Sequence, residues 1–179
     1  MAVTPRERIA IDMDGVIADF LSKHLAVYNA EFGESPTADD LRGKKLRELV
    51  VEERRARLET FLTADDFFGD LGVVEGSQQV ISDLTQRYEV FLTTAAMEYP
   101  TSFAAKFRWL EENFPFVPAS NIVFCGDKGI IAADYLIDDN ARHFARFRGE
   151  GILFTAPHNV EENRYRRVND WQDVREMFL

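Results

Sequence analysis

The stretch IAIDMDGVIADF, residues 9–20, decides the fold of this 179-residue chain. A short apolar run ends in Asp12 and Asp14, and Gly15 follows them directly. Side chains two residues apart on an extended backbone point to the same side, so these two carboxylates repel each other unless a cation lies nearby. We therefore expect a buried strand here, with a charged site where the strand ends.

Four more apolar runs occur along the chain, each followed by polar or glycine-containing residues. They are YEVFLTT (88–94), NIVFCGD (121–127), DYLIDD (134–139) and GILFT (151–155). Strands that are apolar throughout, without alternation, are typical of a parallel sheet covered on both faces. The pattern predicts an α/β fold built on a doubly wound parallel sheet.

Segments with helical spacing lie between these runs. Two of them are SQQVISDLTQRY (77–88) and TSFAAKFRWLEENF (101–114). The second is expected to place Phe103, Phe107 and Leu110 on its buried face. Lys106 is expected to be exposed, with contact to a substrate phosphate as the alternative.

About seventy residues separate the first strand from YEVFLTT, far more than one crossover helix needs. Within them TADDLRGKKLREL (37–49) and VVEERRARLETF (50–61) are predicted to be charged helices, with Thr37 and Asp40 as a capping box. Their mixed charges fit a solvated face and also a cap over the carboxyl edge of the sheet. We expect a single domain with a core of residues 1–18 and 76–179 and a helical cap inserted at about 19–75.

Composition excludes several classes of function. A formal net charge of −10 argues against binding to nucleic-acid polymers but leaves a small anionic substrate open. Cys125 is the single cysteine, so no internal disulfide can form, and the first ten residues lack the apolar core of a signal peptide. No apolar run approaches the roughly 20 residues that span a bilayer. These features predict a cytoplasmic protein with no membrane partner.

Unusual polar residues follow each predicted strand. They are Asp12 and Asp14 after the first, Thr93 and Thr94 after the second, Lys128 after the third, and Asp138 and Asp139 after the fourth. The ends of parallel strands lie along one edge of a sheet, so we expect these residues to converge. Gathered carboxylates form an oxygen-rich site that suits Mg²⁺, which shares its ligand shell with substrate phosphates.

These residue types fit phosphoryl transfer. A metal ion and a lysine neutralise phosphate charge, a hydroxyl donates to a phosphoryl oxygen, and one carboxylate attacks phosphorus in line. A second carboxylate can protonate the leaving oxygen and then deprotonate water. Asp12, beside the metal, is expected to act as the ionised nucleophile, and Asp14 as the acid and base.

The motifs DMDGV, FLTT, GDK and LIDD, in this order, resemble the haloacid dehalogenase-like superfamily of phosphatases. The longer matches DMDGVIADF, DKGIIAADYLIDD and LFTAPHN resemble one branch, the 5′(3′)-deoxyribonucleotidases. The resemblance covers roughly residues 9–158 apart from the cap, and it implies a Rossmann-like core of that superfamily. It also implies hydrolysis of (deoxy)nucleoside monophosphates with Mg²⁺ through an aspartyl-phosphate.

By position, the resemblance makes Asp12 the nucleophile and Asp14 the general acid and base. It implies that Mg²⁺ is held by the Asp12 side chain, the Asp14 backbone carbonyl and Asp139, with the neighbouring Asp138 as an open alternative ligand. Asp14 disfavours a dehalogenase, whose leaving group needs no proton.

The resemblance also assigns substrate-binding residues. Thr93 would bind phosphate with Thr94 beside it, Lys128 would neutralise charge, and Phe20 matches an aromatic residue that lines the base pocket. Members of the branch place aromatic and apolar residues after a cap glycine, whereas this chain has Lys44 and Lys45 there. We expect both lysines to face water, with a more anionic substrate as the alternative.

The remaining chemically active side chains are expected to be structural. Cys125 is expected to be a small buried residue, because no base lies near it in sequence. The three histidines, His24, His143 and His158, lack metal-ligand spacing, and a role for His158 in shaping a loop near the site is the alternative. Phe67 and Phe68 are expected to pack the cap against the core.

We therefore expect a Mg²⁺-dependent phosphomonoesterase acting on a small phosphate monoester, in particular a nucleoside monophosphate. Two alternatives stay open: a phosphatase for another small metabolite, and a non-catalytic nucleotide-binding protein of the same fold. Assembly as a homodimer is also open.

Overall fold

A computed structural model describes residues 5–64 and 66–179; residues 1–4, which the expected core includes, lie outside this range. The strands it describes are β1 (Arg8–Asp12), β2 (Ala18–Asp19), β3 (Gly72–Val73), β4 (Glu89–Thr94), β5 (Ile122–Phe124), β6 (Tyr135–Asp138), β7 (Glu150–Phe154) and β8 (Arg166–Val168). Six of them form one parallel sheet in the order β5-β4-β1-β6-β7-β8. This sheet confirms the predicted α/β class.

β1 lies in the middle of the sheet, between β4 and β6, and its last residue, Asp12, pairs with Thr93. Because all six strands are parallel, their carboxyl ends share one edge, as the sequence predicted. β8 was not predicted. It is a three-residue edge strand with two arginines, too short and too polar to show an apolar run.

The helices are α1 (Phe20–Phe32), α2 (Leu46–Leu49), α3 (Glu52–Leu62), α4 (Ser77–Leu84), α5 (Phe103–Asn113) and α6 (Trp171–Phe178). The last three contribute to the larger core cluster, which includes Ile9 and Ile11 of β1. Ala10 points to the opposite face, where a smaller cluster includes Phe144 and Phe147. Both faces of the sheet are therefore covered.

The first three helices build a separate cluster. Its buried members are Leu25, Tyr28, Leu41, Leu46, Val50 and Leu58. The chain enters and leaves this unit through β2 and β3, which pair antiparallel. Two buried tryptophans fix the flanking backbone, because the indole N–H of Trp171 donates to the Val16 carbonyl at 3.0 Å and that of Trp109 to the Leu71 carbonyl at 2.7 Å.

The segment 37–49 differs from its prediction as one helix. It forms a 3₁₀ turn at Asp39–Leu41 and then the four-residue α2. Gly43 separates the two with φ +73°, a left-handed conformation that favours glycine. One of the two reciprocal interactions of the predicted capping box forms. The Asp40 carboxylate accepts hydrogen bonds from the Thr37 N–H and hydroxyl, each at 2.8 Å. The second charged helix is confirmed as α3.

Phe67 and Phe68 are buried in the larger core cluster, as predicted.

Among the described residues, no helix combines the length and apolar character needed to cross a bilayer.

Candidate active site

Asp12 and Asp14 lie where β1 ends and the chain turns toward the cap. Gly15 makes this turn with φ +82°, and its N–H donates to the Ala18 carbonyl at 2.8 Å. A Cβ added to Gly15 would clash with the Asp139 carboxylate. Glycine at this position therefore lets the turn approach the end of β6 closely.

Lys128 lies between two carboxylates that come from different strands. Its ammonium group donates to Asp12 and, at 2.6 Å, to Asp138, and its side chain is fully buried. Burial by itself lowers the pKa of Lys128, but the charges of Asp12 and Asp138 outweigh this and raise it. Lys128 is therefore a permanent cation behind the acidic residues.

The adjacent acids Asp138 and Asp139 have different surroundings. Both oxygens of Asp138 are engaged, one by Lys128 and the other by the Asn140 N–H at 2.8 Å. The Asp139 carboxylate is partly exposed and, among the described residues, accepts no hydrogen bond. Of the two acids, Asp139 thus has oxygens free to bind a cation.

Three carboxylates meet at this edge of the sheet. Asp12, Asp138 and Asp139 each offer one oxygen, and these oxygens lie within 4.8 Å of one another. Burial, followed by the charges of Asp138 and Asp14, raises the pKa of Asp12 to about 7 despite Lys128. Burial and the two neighbouring aspartates also raise the pKa of Asp139 well above its ordinary value. The negative charge of these three carboxylates exceeds the positive charge that Lys128 supplies. Their oxygens are the ligands that a hard divalent cation prefers.

A second polar group surrounds Asp14. The ammonium group of Lys106 donates to the Asp14 carboxylate and, at 3.0 Å, to the Thr94 hydroxyl. It also lies 4.3 Å from the centre of the Phe68 ring, a cation–π contact. The second Asp14 oxygen is buried without a hydrogen-bond partner among the described residues.

The prediction that Lys106 is exposed is wrong, since only 2% of its surface is accessible. The buried face of α5 consists of Ala105, Lys106, Trp109 and Leu110. Lys106 lies three and four residues before Trp109 and Leu110, so it shares their face of the helix. This spacing to a tryptophan was the signal in the sequence that could have identified it.

Thr93 and Thr94 have opposite orientations, as neighbours on a strand do. Thr93 is fully buried, and its hydroxyl donates to the Ile11 carbonyl at 3.2 Å. Thr94 faces Asp14 and Lys106 instead. The structure thus brings Thr94 into the site, whereas the Thr93 hydroxyl bridges β1 and β4.

The acidic edge opens into a cavity of about 720 Å³ between the sheet and helices α1 to α3. Asp12, Asp14 and Asp139 line its floor, and cap residues that include Leu46 and Leu58 line its roof. Phe20 is half-buried in the wall, with its ring parallel to that of Phe68 within 14° and 6.0 Å away between centroids. The cavity therefore combines a charged end with an apolar, aromatic end.

The histidines line this cavity but take no part in the acidic group. Burial lowers the pKa of His24, His143 and His158 to about 4 each, so all three are neutral at pH 7. His158 Nε2 lies 3.1 Å from the Asp139 carbonyl, where it helps to position the loop after β6.

Cys125 is buried, as predicted, and burial raises the pKa of its thiol.

Fold and site together define a class of protein. The crystal structure of YfnB from Bacillus subtilis, provisionally assigned as a HAD-hydrolase and bound to magnesium, matches with a TM-score of 0.61 and 14% identity. The match covers 98% of this chain and 99% of that one. At such low identity the likeness shows the fold, which is that of the haloacid dehalogenase-like hydrolases.

Sequence comparison identifies the family. Residues 6–179 match the model of the family described as 5′ nucleotidase, deoxy (pyrimidine), cytosolic type C protein. A 5′(3′)-deoxyribonucleotidase of Bacillus subtilis is 42% identical over 175 residues, 96% of this chain and 98% of the relative. A Staphylococcus epidermidis relative, provisionally given the same name, is 43% identical over 173 residues, 97% and 96% of the two chains. The chain belongs to this family of phosphoric monoester hydrolases, which confirms the predicted resemblance and enzyme class.

Proposed function

We propose that this protein is a Mg²⁺-dependent phosphomonoesterase that converts (deoxy)nucleoside monophosphates to nucleoside and phosphate through an aspartyl-phosphate. One observation carries the proposal: three carboxylates converge beside a buried lysine, and a fourth carboxylate stands across the same cavity floor. The curated Bacillus subtilis relative supports the substrate class by its name. We also infer a cytoplasmic setting, which the single cysteine favours.

In the first half-reaction, an Asp12 oxygen forms a bond to phosphorus while the bond to the leaving oxygen breaks. The leaving oxygen takes that electron pair and receives a proton from Asp14. In the second half-reaction, Asp14 removes a proton from water, whose oxygen attacks the phosphorus and releases Asp12. Lys128 orients Asp12 and favours its ionised form, because it donates to one oxygen of that carboxylate.

Asp12, Asp139 and the backbone carbonyl of Asp14 are the groups that would hold Mg²⁺. The magnesium in YfnB, which shares the fold, supports this cofactor. When bound, Mg²⁺ supplies positive charge that offsets the charge on the phosphoryl oxygens. Asp138 would then hold Lys128 in place and act indirectly, since both of its oxygens are already engaged.

We infer that residues 19–75 act as a cap whose position over the sheet edge excludes bulk water from the reaction. The apolar end of the cavity, with Phe20, would receive the nucleoside. The Thr94 hydroxyl lies beside Asp14, where it can donate to a phosphoryl oxygen, while Lys106 pairs with the Asp14 carboxylate.

Substrate class is tested by a panel of phosphate esters that contains dUMP, UMP, a 3′-monophosphate and glucose 6-phosphate. We expect kcat/KM for the nucleotides to exceed that for the sugar phosphate by roughly tenfold or more, because the sugar cannot fill the apolar end. Equal turnover of all esters would contradict the nucleotide assignment and leave the chemistry intact. Release of phosphate from none of them would favour a non-catalytic binding protein.

Mg²⁺ affinity should fall as the pH is lowered through 7. The pKa of Asp12 without metal is raised to about 7, so below that pH a proton competes with Mg²⁺ for the carboxylate. We expect a loss of at least about tenfold in affinity for each pH unit below 7, measured by titration calorimetry, because the pKa of the second ligand Asp139 is also raised. Chelation should abolish activity and added Mg²⁺ should restore it.

Asp14→Asn is the matched control for this titration, because it makes the same change two residues away and retains the backbone carbonyl. It should bind Mg²⁺ with the wild-type slope and a midpoint shifted to lower pH, because the Asp14 charge contributes to the raised pKa of Asp12. Asp12→Asn should bind Mg²⁺ more weakly and with a shallower pH dependence, because only the raised pKa of Asp139 remains. Equal Mg²⁺ affinity at pH 5.5 and pH 8 in the wild-type protein would contradict the assignment of Asp12 as a ligand.

A further inference from the structure

Lys45 is a cap residue that reaches the core beside the acidic edge. Its ammonium group lies 3.3 Å from the side-chain oxygen of Asn140, in the amide orientation that lets this oxygen also accept from Arg142 Nε at 3.2 Å. Asn140 directly follows Asp139. Among the described residues, no carboxylate lies within 4.0 Å of the Lys45 ammonium, although Lys45 lines the same cavity as Asp12 and Asp139.

The other two cap cations on the cavity wall have different neighbours. The Lys44 charge lowers the pKa of Asp40, which hydrogen bonds from Thr37 already lower to a larger extent. The Arg47 charge bears on the partly buried Tyr99 hydroxyl, which donates to Glu59 at 3.0 Å. Within this part of the described cap, Lys45 is therefore the cation that lies beside Asn140, the residue after Asp139.

The backbone around Lys45 is fixed against the core. The Gly43 N–H donates to the Pro157 carbonyl at 2.9 Å, which joins the cap turn to the loop after β7. The Lys45 N–H donates to the Glu48 side chain at 2.6 Å, which sets the start of α2. Both bonds fix the backbone of Lys45, an exposed residue, near the edge of the sheet.

The core cations of this site are already engaged. Lys128 is held between Asp12 and Asp138, Lys106 contacts Asp14, and Arg142 pairs with Glu98. A phosphate ester placed between the acidic floor and the cap would bring two negative charges to the cavity, and its cap-facing oxygens would need a donor. Lys45 has the charge, the position and no competing ion pair among the described residues.

We propose that Lys45 is a substrate-binding residue that donates a hydrogen bond to a non-bridging oxygen of the substrate's phosphoryl group. The inference extends the proposed function, on which it rests, by assigning one phosphate ligand to the cap. It follows that phosphate binding stabilises the contact between cap and core, and that a nucleoside without phosphate does not use Lys45.

The test is calorimetric binding of inorganic phosphate in the presence of Mg²⁺. We expect Lys45→Met to weaken phosphate binding by about tenfold or more, the usual loss for a charge-assisted hydrogen bond, and Lys45→Arg to retain most of the affinity. The matched control is Arg42→Met, which removes one charge from the same cap segment outside the cavity and should leave phosphate affinity within about twofold. Mg²⁺ affinity measured without phosphate should not fall in Lys45→Met, because removing a cation beside Asp139 cannot weaken cation binding.

A second titration uses deoxyuridine. Loss of deoxyuridine affinity with unchanged phosphate affinity in Lys45→Met would overturn the inference, because Lys45 would then bind the nucleoside. Phosphate affinity unchanged in Lys45→Met also overturns it, while turnover of nucleotides by the wild-type protein would still support the proposed function. If the wild-type protein releases no phosphate from any ester, the proposed function fails, and a selective loss of phosphate affinity in Lys45→Met would still support Lys45 as a phosphate ligand.

Discussion

Asp12→Asn is expected to abolish phosphate release, with a loss of kcat of at least about 1,000-fold, while the protein stays folded. The amide has the shape of the carboxylate and can still accept from Lys128, but it cannot form the bond to phosphorus. Its stability should not fall, because burial and neighbouring acids already raise the pKa of Asp12 to about 7, and the change removes that repulsion. Steady-state phosphate release and thermal unfolding measure the two effects.

Trapping of the phosphorylated protein distinguishes a nucleophilic role of Asp12 from a role in binding alone. Acid quench of the wild-type protein during turnover, followed by peptide mass spectrometry, should show one phosphoryl group on the peptide that contains Asp12. Asp39→Asn is the matched control, since Asp39 is exposed in the cap and lies outside the cavity, and it should retain wild-type turnover. Substantial turnover by Asp12→Asn, or a phosphoryl group trapped on another peptide, would contradict the assignment of Asp12 as the nucleophile.

Lys128→Met is expected to have the largest effect on stability. The lysine is fully buried between Asp12 and Asp138, so its loss leaves two buried carboxylates without their cation. Removing one partner of a buried ion pair costs about 3–5 kcal/mol in the free energy of unfolding. Activity should fall as well, because Asp12 would be protonated at neutral pH. Urea unfolding without metal measures the stability change.

The loss of stability in Lys128→Met should depend on pH in a defined direction. A carboxyl group whose pKa is raised on folding binds protons in the native state that the unfolded chain releases, so native stability falls as the pH rises from about 4 to the raised pKa. Without Lys128 the pKa of Asp12 lies above the value of about 7 that it has in the wild-type protein, so the variant continues to lose stability above pH 7. The destabilisation should therefore be smallest near pH 5 and largest above pH 7. The double variant Lys128→Met with Asp138→Asn removes one anion with the cation and should recover part of the loss. A destabilisation independent of pH would show that packing, and not charge, makes Lys128 important.

Much of the site could be predicted because its parts are local signals in the sequence. Short apolar runs mark the buried strands, and the polar residues after them must lie at the carboxyl edge once the sheet is parallel. Asp12, Asp14 and Lys128 were predicted to converge in this way, and the structure places Lys128 against Asp12 although the two are 116 residues apart. The β8 edge strand and the broken helix at 37–49 were missed, since neither has an apolar pattern of sufficient length.

The sequence by itself determined the class of fold, the edge at which charge collects and the chemistry that such residue types support. Only the tertiary structure decided which side chains face each other. Lys106 is buried because Asp14, 92 residues away, lies opposite it, and Asp139 differs from Asp138 because Lys128 and the Asn140 N–H engage the latter. Periodicity reports which face of an element is apolar, whereas the cost of burying a charge depends on partners that other elements bring within hydrogen-bond distance.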